Sequence, residues 1–516
     1  MRHLVLTALL LLLSGCHEFS CASKAKPTYL RVHIESNPKT LDPALATGVR
    51  EFQILQAIFE GLTRYHPETL NPLPGVAERW VLSEDGLRYT FHLRSDAKWS
   101  DGRAVTAQDF WDAWEHLLNP QTQSPYAFQL FYLKGAQDYA NGILKDPKQI
   151  GMIVKGTRVF EVTLERPLPY FLSLTSFSAL GPIRKELGPQ PYRITNGPFI
   201  LSNIDPQEGV LLLPNPQYWG HHEIRLNGIQ FRPFGDFQTA LRLYDRTGID
   251  ILTDLPPTQV PLLKFRSDFR NAPLLRTEYF SFQCQTPPFN DVKVRRALSL
   301  ALNRKEITEN ILKRGDIPYG LLVPPGLPHY QNSASPQDFD PEKAKALLHE
   351  SNFDGNPFPK IIIYYNKATD RQLVAKAAQQ MWKENLGVES ELKEEDWATY
   401  LNRRQTKNYQ VSWGGWSGDY LDPNTFLELF VSDNRQNHTG WSNPRYDDLI
   451  RKGQAEQNLQ KRMGYFQEAE TILLEEAPIV PVLVKAKTYL IQPYVKGYSA
   501  NLLDIQVLRD VYSLRP

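Results

Sequence analysis

Between Ala77 and Leu118 the chain spells out a strand, a turn and a helix almost residue by residue, and no other stretch constrains the fold as tightly. Leu87, Tyr89, Phe91 and Leu93 alternate with Arg88, Thr90, His92 and Arg94, the period of an antiparallel strand with one face in the core and one in water. Glu84-Asp85-Gly86 gives the turn before it, and Lys98-Trp99-Ser100-Asp101-Gly102 the turn after. Thr106, with Asp109 three residues on, predicts a helix cap, and Phe110, Trp114, Leu117 and Leu118 form the apolar stripe of that helix. Asn119-Pro120 ends it.

The same signals recur along the chain. Tyr29 to Ile34 alternates like a half-buried strand, and Phe52, Leu55, Ile58 and Phe59 have helical spacing, with Gly61 as the stop. Asp291 precedes Val294, Ala297, Leu298, Ala301 and Leu302, with Arg295, Arg296 and Arg304 on the polar side. Asp340-Pro341 opens another helix with Ala344, Leu347 and Leu348 turned inward. Ile361 to Tyr365 reads as a buried strand and Ala375 to Leu386 as the helix after it. Strands and helices alternate at both ends, so the class is mixed α/β. No internal repeat or low-complexity block interrupts the pattern.

With 516 residues the chain has the length of about three domains. Hydrophobic residues make up 41% and charged residues 22%, and the formal net charge is +1. This is an ordinary globular composition without the basic field that nucleic-acid binding requires. A ligand must be held by local chemistry.

Residues 1–15 form a separate object. Arg2 is a short positive region, Leu4 to Leu13 are apolar but too few to span a bilayer, and Ser14-Gly15 follow. Leu13-Ser14-Gly15-Cys16 resembles the lipobox of bacterial lipoproteins, which implies cleavage before Cys16, acylation of its thiol and a membrane anchor. Residues 16–27 read as a polar tether. Cys21 and Cys284 are then left in a tether and a folded segment, an unpromising disulfide pair. His221 and His222 are adjacent and Glu223 completes no H-E-x-x-H, so the sequence predicts no metal and no cofactor.

Several ordered motifs carry a resemblance. They are Ala77-Glu78-Arg79-Trp80, Ser83 to Gly86, Tyr89 to Arg94, Lys98 to Gly102 and Val105 to Phe110, followed by Thr195-Asn196-Gly197-Pro198-Phe199 and Asn215-Pro216-Gln217-Tyr218-Trp219. Phe289 to Leu298 and Glu475 to Pro481 complete the set. Together they resemble the peptide and nickel class of bacterial extracellular solute-binding proteins of ABC importers. Ser124-Pro125-Tyr126 and Gly414 to Tyr420 point within it to oligopeptide-binding proteins. The resemblance implies a two-lobed periplasmic-binding-protein-like fold with a hinge of two crossing segments and an additional satellite domain. Mapped here, lobe I is 28–60, 183–275 and 490–516, the satellite 61–182, and lobe II 276–489. The partners implied are short peptides and an ABC permease in the inner membrane, with the protein a monomer on the periplasmic or extracytoplasmic face.

A peptide's α-ammonium, once out of bulk water, needs a paired carboxylate. Asp419 is the candidate, in a loop where Trp413-Gly414-Gly415-Trp416-Ser417-Gly418 offers glycines for close backbone approach and rings to exclude water. By resemblance Val49, Gly415 and Ser417 supply backbone groups to the ligand strand, and Tyr126, Trp397 and Trp416 line the cavity. Trp413 stands where relatives often carry a basic residue. Arg371 falls at a position able to meet a peptide carboxylate. Two positions that form a disulfide in relatives are Arg276 and Ser417 here, which implies a more mobile loop. No G-x-S-x-G, P-loop or dinucleotide fingerprint occurs, against an envelope hydrolase or other enzyme. Other cargo of the same class, such as a cell-wall peptide, nickel, haem or a glycan, stays open, as does a chaperone use of the lobes.

Overall fold

The computed structural model describes residues 29–515 apart from 47, 189, 332–337, 352–357, 419 and 435. The signal sequence, Cys16, Cys21, the tether and Asp419 lie outside the described residues.

The strand, turn and helix between 77 and 118 form as their sequence dictates. Strands Ala77–Leu82, Arg88–Leu93, Val159–Thr163 and Met152–Gly156 make a four-stranded antiparallel sheet. Tyr89, Phe91 and Leu93 are buried, while Arg88, Thr90 and His92 are not. Helix Ala107–Leu118 packs on it, capped by Thr106 and Asp109 in a reciprocal box: the Asp109 N–H donates to the Thr106 hydroxyl and the Thr106 N–H to the Asp109 carboxylate at 2.7 Å. One continuous core joins Phe91, Trp114 and Phe160 of this satellite to Val32 and Phe199 of the first lobe. The two therefore pack as one body.

The remaining strands join an eleven-stranded sheet ordered Ser390–Glu395, Ile361–Asn366, Val411–Ser417, Phe269–Phe282, Ile479–Ile491, Ile251–Leu252, Leu30–Ile34, Ile229–Pro233, Gly209–Pro214 and Phe199–Asp205, with Ile317–Pro318 off this path. The two lobes share it through Phe269–Phe282 and Ile479–Ile491, which at ~3.3 Å per residue run some 45 Å and serve both. Their ladder is interrupted. Residues 269–273 pair with 486–490 in the first lobe and 277–281 with 479–484 in the second, leaving 274–276 opposite 485 as the irregularity. The family resemblance implies crossings at about 275/276 and 489/490. A third connection was not foreseen: the Leu275 N–H donates to the Leu502 carbonyl at 2.7 Å, and Leu502 packs in the core of the second lobe.

Several readings are corrected by tertiary context. Leu30–Ile34 is buried nearly throughout rather than on one face, because it lies between parallel neighbours. The helix after it is Val49–Ile58 and ends three residues before Gly61. Gly61 serves packing instead, since a Cβ there would sit 2.1 Å from the Thr175 carbonyl oxygen. Helix Val292–Leu300 buries its expected stripe, but Arg295 and Arg304 are buried as well. Arg295 donates to the carbonyls of Phe289 and Glu476, and Arg304 to that of Pro481 at 2.7 Å. Burial pushes the Arg304 guanidinium down to about 10. The motifs 195–199 and 215–219 prove to be fold locks: Asn215 donates to the Gly197 carbonyl at 2.9 Å, and Trp219 to Glu60 at 2.7 Å.

Candidate functional site

Strand Val411–Ser417 is paired unequally on its two sides. Phe269–Phe282 runs antiparallel to it over its whole length, from Phe282 opposite Val411 to Arg276 opposite Ser417. On the other side Ile361–Asn366 pairs with Val411, Ser412 and Trp413 and then diverges. Among the described residues, nothing pairs with that side of Gly414 to Ser417. A bare edge is a template for another extended chain.

The candidates on this strand take different places. Gly415 and Trp416 are half-buried and Ser417 is exposed. Trp413 is fully buried, its ring 4.6 Å from that of Phe280, so it supports the strand from behind and presents no surface to a ligand. The glycines are needed for a reason other than the one expected. A Cβ on Gly415 would lie 2.6 Å from the Thr277 carbonyl oxygen, and one on Gly414 would lie 2.8 Å from the Tyr400 hydroxyl. They admit the protein's own neighbours. Asp419 itself is outside the described residues, but its flanks are tied down. The Gly418 N–H donates to the Leu275 carbonyl at 2.8 Å, and the buried Tyr420 ring stacks on Tyr170 of the satellite with centroids 3.5 Å apart.

Arg371 is committed to a cluster that no sequence motif announced. Its Nη2 donates to Glu278 at 2.9 Å, and its Nη1 is buried without a partner among the described residues. Glu278, 1% exposed, also accepts two bonds from Arg276 at 3.2 Å each and lies 3.7 Å from Arg314. Arg314 in turn pairs with Asp316 and Asp370. Burial works to raise the Asp370 carboxyl, but Arg314, Lys485 and Arg371 together hold it below the usual carboxylate range. Burial pushes the Lys485 ammonium down. Arg276 and Ser417 do not fall apart for want of a disulfide: they are direct cross-strand partners, and Arg276 Nη1 donates to the Ser417 hydroxyl at 3.0 Å.

The other candidates belong to elements facing solvent. Val49 begins its helix and is 57% exposed, and Trp397 begins helix Trp397–Gln405 and is 60% exposed. Tyr126 is half-buried, edge-on to Phe52 at 5.1 Å, and shares with Val49 a cavity of about 200 Å³. Cys284, in the second lobe, is a free thiol pushed up to about 11 by burial.

The family model of the bacterial extracellular solute-binding proteins, family 5 Middle, matches residues 71–438. The chain belongs to that family. It is a substrate-binding protein of the kind that serves ABC importers, and not an enzyme. The periplasmic murein peptide-binding protein MppA of Escherichia coli K12 is 34% identical over 500 residues, 94% of this chain and 93% of its own length. The unliganded open form of MppA superposes with a TM-score of 0.88 at 33% identity, covering 95% of this chain and 98% of that one. A second structure of the same E. coli protein gives only 0.71 at the same identity, covering 95% and 99%. The Haemophilus influenzae OppA complex with RPPGFSPFR gives 0.67 at 31% identity, covering 95% and 99%. Equal identity with unequal superposition means that those two structures differ in arrangement, and this chain superposes better on the one described as open.

Proposed function

We propose that this solute-binding protein captures short peptides between its lobes for import, anchored through acylated Cys16 at the extracytoplasmic face of a bacterial membrane and acting as a monomer. The observation that carries the reading is the unpaired strand edge at Gly414 to Ser417. Main-chain pairing along such an edge gives affinity without regard to side chains. Gly415 and Ser417 bond the ligand backbone from one lobe and Val49 from the other. Trp397, Trp416 and Tyr126 close around it, and lobe closure covers the exposed Val49 and Trp397. Trp413 acts by stiffening the strand.

Asp419 takes the peptide's α-ammonium, where it follows the unpaired edge and is flanked by the fixed Gly418 and Tyr420. Arg371, with one guanidinium nitrogen unpartnered, turns toward a carboxylate of the ligand. A cell-wall peptide is the second reading, favoured by the similarity to MppA, a murein peptide-binding protein; it too presents an amine. Calorimetric titration with free and N-acetylated peptides of three to six residues tests the proposal. Free peptides are expected to bind at micromolar levels, about 8 kcal/mol, and to add roughly 2.7 kcal/mol of stability at a hundredfold excess. Asp419→Ala is expected to cost about a hundredfold in affinity, some 2.7 kcal/mol, without lowering the unliganded melting temperature. Equal binding of blocked and free peptides removes Asp419 as the anchor, and no binding of either removes the reading.

A further inference from the structure

The 200 Å³ cavity beside Val49 and Tyr126 is smaller than the roughly 300–1,000 Å³ that hold a whole drug-sized ligand. It suits a single side chain. Four carboxamides line it, from Gln53, Gln56, Gln129 and Gln506. Gln506 is 2% exposed, and both its Nε2 and its Oε1 lack a hydrogen-bond partner among the described residues. Gln56, by contrast, donates to the Ser176 carbonyl at 3.4 Å. The opposite wall is aromatic: Phe52, Tyr126 and Phe177 have ring centroids 4.7–5.5 Å apart.

The cavity offers no free charge. Its acid, Asp504, accepts two bonds from Lys487 at 2.5 and 2.7 Å. A carboxylate entering it would lose its hydration with no cation to replace it, and an ammonium would find the acid already taken. An apolar side chain would leave both polar atoms of Gln506 unpaired, which is the costly outcome for a buried amide. Both atoms lie just under the cavity surface, so a rotation of the Gln506 side chain has to bring them to the ligand. A carboxamide then satisfies both at once, because it presents one acceptor and a donor side by side, and its methylene stem packs on the aromatic wall.

On this ground, and resting on the peptide-binding reading above, we propose that the cavity is a specificity subsite for a neutral amide side chain, Gln or Asn, with Gln506 as the residue that reads it. Titration of the unliganded protein with free-amino tri- and tetrapeptides, in which each position in turn is Gln, Glu, Met or Lys in an alanine background, tests it. At one position Gln is expected to bind at least tenfold tighter than Glu, Met and Lys. In Gln506→Leu the Gln-to-Met ratio at that position is expected to fall to within twofold. If the four residues lie within twofold of one another at every position, as they would were a backbone amide to occupy the cavity, the inference is overturned. The ranking on the unaltered protein decides this even where the variant fails to fold. Absence of binding by every peptide defeats the peptide reading itself, whereas binding without a ranking defeats only the subsite. A ranking that survives in Gln506→Leu shows that Gln506 is not the reader, and that also overturns the proposal.

Discussion

The amide-lined cavity near Val49 and the charge cluster around Glu278 are built on opposite electrostatic plans. The first sets four carboxamides against aromatic rings and ties its one acid to Lys487. The second sets buried Glu278 and Asp316 and half-buried Asp370 among Arg276, Arg314, Arg371 and Lys485, with Glu278 on the strand paired to Val411–Ser417. A neutral region tolerates exchange of its polar groups at small cost, whereas a buried charge network holds together only while every charge keeps its partner. The first suits reading a variable side chain and the second suits holding a strand and a fixed charge.

Breaking the charged side should have the larger effect. Glu278→Ala leaves the buried Arg371 without its bonded carboxylate and takes a neighbouring negative charge from Arg276 and Arg314, and it is expected to destabilise the protein by about 3–5 kcal/mol in urea unfolding. If the loss is below ~1 kcal/mol, the cluster is not a stabilising network. On the neutral side, Gln506→Leu removes an unpaired buried amide. It is expected to stabilise the unliganded protein by about 1 kcal/mol in the same measurement, and a loss of that size would show that the amide is already satisfied.

Acid titration sharpens the contrast because the two regions carry carboxyls shifted in opposite senses. Asp370 is held below its unfolded value of about 3.9. Its contribution is present above that value and is lost as the pH falls through the folded one. Burial raises Asp504 against the pull of Lys487, so its contribution is present in acid and is lost as the pH rises through its folded value. Urea unfolding between pH 3 and 7 should therefore show the advantage of the native protein over Asp370→Asn shrinking on acidification, and its standing relative to Asp504→Asn improving. The smallest effect belongs to Arg276→Ala. Arg276's side chain is a third exposed, and Glu278 keeps Arg371 and Arg314 without it, so losing its bonds to Glu278 and Ser417 is expected to cost less than about 1 kcal/mol by urea unfolding.

Elements were legible where a local rule sufficed. Thr106 and Asp109 lie three residues apart, and the box they form needs nothing beyond their own helix. Helix Thr369–Leu386 was foreseen from Ala375 onward, and residues 369–374 were missed because no side-chain cap precedes them. Arg295 and Arg304 were misplaced on a polar face because their partners, the carbonyls of Glu476 and Pro481, lie some 180 residues away. Glu278 was hidden in the same way, because two of its three cations come from positions 314 and 371, 36 and 93 residues along the chain. The glycines at 414–415 were read as room for a ligand's backbone, while the atoms that forbid a side chain there belong to Thr277 and Tyr400.

The sequence by itself determined the mixed α/β class, the strand Arg88–Leu93 with the capped helix after it, and the motifs that place the chain in its family. The first two rest on periodicity and capping within about twenty residues, and the last on the order of short motifs along the chain. Tertiary structure alone decided which strand edge stays open, that the C-terminal segment reaches into the second lobe through Leu502, and that Arg371 answers first to Glu278. The physical reason is that an unpaired backbone edge, a hinge and a buried ion pair are each defined by what lies across a gap in space, and the spacing of residues along the chain carries no record of that gap.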